Sequence, residues 1–155
     1  MIKRQAKKLI MDIITDALIN QRVELYESYR THMKDSNQLP ESSLELLFSK
    51  INKDYYDAVA NQALDKVRQI SPETSKRLSE AFVNQKLYDK SNEYSFHYYS
   101  ADKVFALSYY AVTGKSAPKK HVIAAKQLQS YSMQDVLRQV YSEQKQNSNN
   151  SEATN

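Results

Sequence analysis

A chain of 155 residues with a single glycine, Gly114, has few places to make the tight reversals and corners on which β-sheets depend. Its three prolines, Pro40, Pro72 and Pro118, add breaks between elements, while Ala, Leu, Lys, Gln, Glu and Met fill the stretches between them. The fold class expected is all-α, a compact bundle of five or six helices with a long N-terminal helix packed across the others. One domain, residues 1–143, is long enough to bury roughly two-thirds of the surface of its extended chain. From Gln144 to Asn155 the composition collapses to Asn, Ser and Gln with almost no apolar content, so residues 144–155 are expected to form a disordered polar tail.

Apolar periodicity places the helices. From Leu9, the series Ile10, Ile13, Ile14, Ala17, Leu18 and Leu25 recurs at spacings of three, four and seven, with Gln21 as its polar interruption. A break is expected over residues 35–42. The second stripe, Leu44, Leu47, Phe48, Ile51, Tyr55, Ala58, Gln62 and Ala63, starts after Ser42 or Ser43 and runs to about Ile70. Ser71-Pro72-Glu73-Thr74 opens a third helix: the serine accepts orphan amide protons, proline loses nothing at the first position, and the acid suits the positive end. Leu78, Ala81, Phe82, Gln85 and Tyr88 carry it forward, whereas the aromatic alternation from Tyr94 to Ser100 also fits a short strand.

Ser100 caps a fourth helix whose buried face is Val104, Leu107, Ser108 and Ala111, and Gly114 closes it in the left-handed conformation. After Pro118 a helix restarts with Val122, Ile123, Ala125 and Leu128 or Gln129. Ser132 with Asp135 resembles a fresh N-cap, leading into Val136, Leu137, Val140 and Tyr141.

The absence of cysteine excludes disulfides, thiolate catalysis and cysteine-ligated clusters, and suits a cytoplasmic location. The basic start, residues 1–10, does not read as a signal peptide because Asp12 and Asp16 interrupt the apolar part, and no stretch approaches the length of a membrane span. No membrane partner is expected.

Enzyme motifs are fragmentary. Thr113-Gly114-Lys115-Ser116 matches the end of a phosphate-binding loop, but Tyr109 stands where the earlier glycine belongs, so a helix terminus followed by a basic loop is the better reading. His32, His97 and His121 lie in separate segments with no paired-histidine spacing, and no metal or cofactor is expected. The pairs Asp12/Asp16, Glu24/Glu27, Glu41/Glu45 and Asp54/Asp57 have helical spacing of the kind common on charged helices. No serine sits in a nucleophile elbow, and the chain is expected not to be an enzyme.

Charge distribution says more than the net charge of +4. Residues 1–8 carry Lys3, Arg4, Lys7 and Lys8 with no acid. Residues 114–131 carry Lys115, Lys119, Lys120 and Lys126, again with no acid, and add Ser116 and His121 beside the lysines. Phosphates are met by such groups, and the nearby tyrosines, Tyr98, Tyr99, Tyr109 and Tyr110, can stack on bases or anchor a partner. Adjacent tyrosines cannot share one helical face, so one of each pair is expected to point away from the main stripe. The expected function is that of a small non-catalytic accessory protein that binds nucleic acid or a nucleoprotein. The alternative is a helical protein-interaction module or inhibitor acting as a homodimer. A helix-turn-helix unit would span residues 103–129 or 122–141, though Arg138 is the only arginine of the latter.

Overall fold

The computed structural model describes residues 2–34, 40–83 and 100–153, from residue 147 on as backbone alone. Within these it is an all-α bundle of five helices: α1 (Lys3–Lys34), α2 (Glu41–Arg68), α3 (Pro72–Val83), α4 (Ala101–Thr113) and α5 (Lys119–Ala153). The region of Tyr94 to Tyr99, where a strand was an option, lies outside the described residues, as do Gln85, Tyr88, His97 and most of the break after α1.

The apolar stripe of α1 is the expected one, extended at both ends: Ala6, Ile10, Ile14, Ala17, Leu18, Leu25, Tyr29 and Met33 are buried. Helix α2 begins at Glu41, slightly before the serines expected to start it, with Pro40 as the preceding residue. It runs antiparallel to α1, since Gln21 bonds Gln62 at 3.0 Å, the Tyr29 hydroxyl donates to Asn52, and the Tyr29 and Phe48 rings stack at 5.5 Å. Ser71 caps α3 as expected, its hydroxyl oxygen accepting the Thr74 amide at 3.0 Å.

Helix α4 is the centre of the bundle. It touches each of the other four helices, and Ala101 through Tyr109 are all buried, so no face is left for water. The sequence reading gave it one buried face, and Phe105, Ala106 and Tyr109 correct that: a short helix enclosed on every side buries its whole circumference. Phe105 and Tyr109 stack at 5.9 Å, one turn apart.

A buried helix must find partners for its end groups without water. At the start of α4, Gln129 Oε1 accepts the Ala101 amide at 2.7 Å and Asp102 Oδ1 accepts the Lys103 amide at 2.9 Å. Ser100 is at the N-cap position, but its hydroxyl donates to the Asp102 carboxylate instead of receiving a helix amide. At the other end, Arg77 Nε donates to the Ala111 carbonyl at 2.7 Å and Arg77 Nη2 to the Val112 carbonyl at 3.1 Å. The Gly114 amide closes on the Tyr110 carbonyl at 2.7 Å, with φ of 73°. The contacts from Gln129 on α5 and Arg77 on α3 are long-range, so α4 is held at both ends as well as buried.

The expected break at Ser130-Tyr131-Ser132 does not occur, and α5 is one helix. Its buried positions, Val122, Ala125, Gln129, Val136 and Val140, keep a single phase across the serines, and no glycine or proline interrupts them. Ser132 is not a cap; its hydroxyl meets the Tyr55 hydroxyl on α2 at 3.4 Å. Ile123 falls off this stripe and is 40% exposed, which corrects its expected core role. The helix-turn-helix placed at residues 122–141 is excluded by the same continuity, while residues 103–129 do contain two helices and a turn. The helical backbone of α5 runs on to Ala153, into the polar segment that begins at Gln144.

Candidate nucleic-acid interface

Lys115 and Ser116 occupy the turn between α4 and α5; Lys119 and Lys120 open α5, and Lys126 follows about two turns on. All are exposed, whereas His121 is half-buried. Lys3, Arg4 and Lys8 are exposed on the first two turns of α1, and Lys7 is half-buried there.

The relation between these two segments comes from the packing. The Tyr26 hydroxyl donates to Glu143, and the Gln144 side-chain amide meets the Met33 carbonyl at 3.5 Å. At the opposite end, Lys7 lies within Coulombic range of His121. Helices α1 and α5 therefore run in the same direction, with their N-terminal turns at one end of the bundle. Neither has an acid in its first turn. Both present cations at the positive end of the helix dipole, where they are unfavourable by a few tenths to about 1 kcal/mol each at an exposed site.

His121 is seated edge-on to Phe105 of α4, with ring centroids 6.2 Å apart. Partial burial, followed by the charges of Lys7 and Lys120, lowers its pKa from the usual 6.5. Lys8 bonds Asp12 at 2.8 Å, which raises the lysine pKa, but both partners are exposed and the pair is a weak surface contact. Among the described residues, Lys3, Arg4, Lys7, Lys115, Lys120 and Lys126 make no ion pair.

The fragment Thr113-Gly114-Lys115-Ser116 is a helix terminus. Two of its amides are engaged: Gly114 with the Tyr110 carbonyl, and Lys115 with Thr113 Oγ1 at 3.1 Å, while that hydroxyl donates to the Tyr109 carbonyl at 2.7 Å. The segment also continues directly from the negative end of α4, and α5 starts only at Lys119, whereas in a phosphate loop the lysine and serine themselves open the following helix.

The tyrosines divide. Tyr109 is 1% exposed and belongs to the core, Tyr110 is half-buried against it, and Tyr98 and Tyr99 lie outside the described residues. Among the described residues the exposed tyrosines are instead Tyr131, at 61%, and Tyr141, at 54%, both on α5. Sequence reasoning placed Tyr141 on the stripe; a single unbroken phase from Val122 to Val140 would have put both outside it.

Most of the paired acids are on solvated helix faces. Asp12, Glu27 and Asp57 each meet a base three or four residues away on the same helix. Glu24, His32, Lys50 and Asp54 line a cleft of about 220 Å³ between α1 and α2. No group of three His, Asp or Glu that could hold a metal ion occurs among the described residues. No helix among them is long and apolar enough to cross a membrane. The chain matches no protein-family model, and comparison with curated proteins and with solved structures finds no significant similarity.

Proposed function

We propose that this chain is a non-catalytic accessory protein that binds nucleic acid, free or within a nucleoprotein, through its two basic segments acting together. The observation that supports the reading is the packing of α1 along α5 in the same direction, which brings the N-terminal turns of both helices to one end of the bundle and so joins basic segments that are far apart in the sequence. Like charges gathered at one end of a bundle repel one another and sit badly against two helix dipoles. A polyanion relieves both, and a local conflict of this kind is where function is to be sought. Lysines and arginine contacting phosphates would give affinity without base specificity, and tyrosines exposed on α5 could add stacking.

Fluorescence-anisotropy titration with single- and double-stranded DNA and RNA tests this. Binding should weaken between about 50 and 200 mM salt, on the order of a hundredfold for four duplex phosphate contacts. The variants K3E/R4E/K7E and K115E/K119E/K120E should each lose most of it. Absence of binding to every probe at the lower salt rules the reading out. A second reading, a protein-binding module or homodimer, draws on Ile19 and Val23, one turn apart on α1 and more than 60% exposed, and on Tyr131.

A further inference from the structure

We infer that the edge of α1 turned away from α2 is a two-fold seam, on which a second copy of this chain packs antiparallel with Ile19 against Val23 and Asp12 against Arg30. The inference is independent of the nucleic-acid reading; it rests on the second reading above, a homodimer, and gives it a register.

Two β-branched aliphatic side chains stand in water one turn apart on α1, Ile19 at 61% and Val23 at 67% exposed. They lie opposite Gln21, Leu25, Ser28 and His32, which face the cleft shared with α2. A single exposed aliphatic residue is ordinary, so the weight falls on what flanks this pair. At 3.6 residues per turn, Asp12 and Arg30 fall within about 40° of the same line, one seven residues before Ile19 and the other seven after Val23. Both are exposed. With Asp16 and Tyr26 in the intervening places, the series alternates spacings of four and three, the pattern of a coiled-coil seam.

The pattern is its own complement. Positions 12 and 30, 16 and 26, and 19 and 23 are each centred on position 21. A two-fold axis there places Ile19 of each copy on Val23 of the other, and the Asp12 carboxylate beside the Arg30 guanidinium at both ends. A parallel pair would set Asp12 against Asp12 and Arg30 against Arg30, so the charges select the antiparallel one. The existing partners of both charges hold them weakly: Asp12 meets Lys8 and Arg30 meets Glu27, each across one turn of the same exposed helix face. Two heptads are too few to associate isolated peptides, but α1 is already folded within the bundle, and no helix has to form on association. The basic first turns of the two copies then lie at opposite ends of the pair, about 45 Å apart.

The test is sedimentation equilibrium of the full chain without nucleic acid, at low salt, from about 1 to about 500 μM. The wild-type chain should dimerise within this range. V23E should weaken the dimer by more than about tenfold, whereas L46E, at a residue 74% exposed on α2, should leave it unchanged. D12R and R30D each set like charges against one another and should weaken it on their own. An equimolar mixture of the two should recover a heterodimer, because both ends then carry opposite charges again. A chain that stays monomeric at every concentration, a dimer insensitive to V23E, or single reversals without effect overturns the inference. So does a mixture no more associated than its parts. With no nucleic acid present, each of these outcomes leaves the nucleic-acid reading untouched.

Discussion

Lys7, on the second turn of α1, and His121, in the first turn of α5, lie close enough that the lysine charge opposes protonation of the imidazole. The two residues belong to separate basic segments of the sequence, and their approach makes one end of the bundle the place where both segments meet. The same relationship has consequences for stability, and the central helix supplies others.

Protonation of His121 is harder in the folded chain than in the unfolded one, since its pKa is depressed below the ordinary 6.5. Between the depressed value and 6.5 the unfolded state binds more protons, so stability is full above 6.5 and is lost as pH falls through the folded value. Urea denaturation at pH 7.5 and pH 5.5 should show a smaller loss in H121Q than in the wild-type chain. Equal losses would mean that His121 is not destabilised as a cation.

Arg77 ties α3 to the buried C-terminal end of α4 through two carbonyls, and its third contact, Glu73 at 2.7 Å, is on the surface. R77M leaves the Ala111 and Val112 carbonyls without these donors and should cost about 2 kcal/mol in urea denaturation. E73A, which removes only a partner that is 75% exposed, should cost less than about 1 kcal/mol. Similar values for the two would show that the carbonyl contacts contribute little.

Gly114 is left-handed, with φ of 73°, and a Cβ added there would come no nearer than 4.0 Å to Arg77 Cδ. The cost of G114A is therefore backbone strain without a clash, about 1–2 kcal/mol in chemical denaturation. Because the Thr113–Ser116 segment is a helix terminus and not a phosphate cradle, nucleic-acid affinity at a temperature where the variant is folded should change less than about threefold. A large loss of affinity would restore the phosphate-loop reading.

Ser108 is fully buried on α4, and its hydroxyl has no hydrogen-bond partner among the described residues. S108A removes that unsatisfied group and places a better helix former at the centre of the bundle, so it should stabilise the chain by up to about 1 kcal/mol. Destabilisation would mean that the hydroxyl has a partner in solution, such as a bound water.

Much of the bundle is legible in the sequence because its signals are local. The stripe from Ile10 to Leu25, the Ser71 cap and Gly114 each announce themselves within a few residues of where they act. Two features are hidden. The continuity of α5 past Ser132 depends on a buried phase shared by residues on both sides, and serine at a helix start resembles serine along a helix when only local pattern is read. The enclosure of α4 depends on four partners, and its one trace in the sequence is the nearly continuous apolar run from Val104 to Val112, which a search for a single striped face passes over. The candidate site divides similarly: both basic segments are plain in the sequence, while their meeting requires the parallel packing of α1 and α5, set by distant contacts such as Tyr26 with Glu143.

The most direct measurement is an amide chemical-shift titration of the full, nitrogen-15-labelled chain with a short single-stranded oligonucleotide at low salt. Amides of residues 2–8 and of residues 115–126 should shift together along one saturation curve, because the two segments form one surface. Shifts confined to one segment, two curves of different affinity, or no shifts at either would contradict a joint nucleic-acid interface.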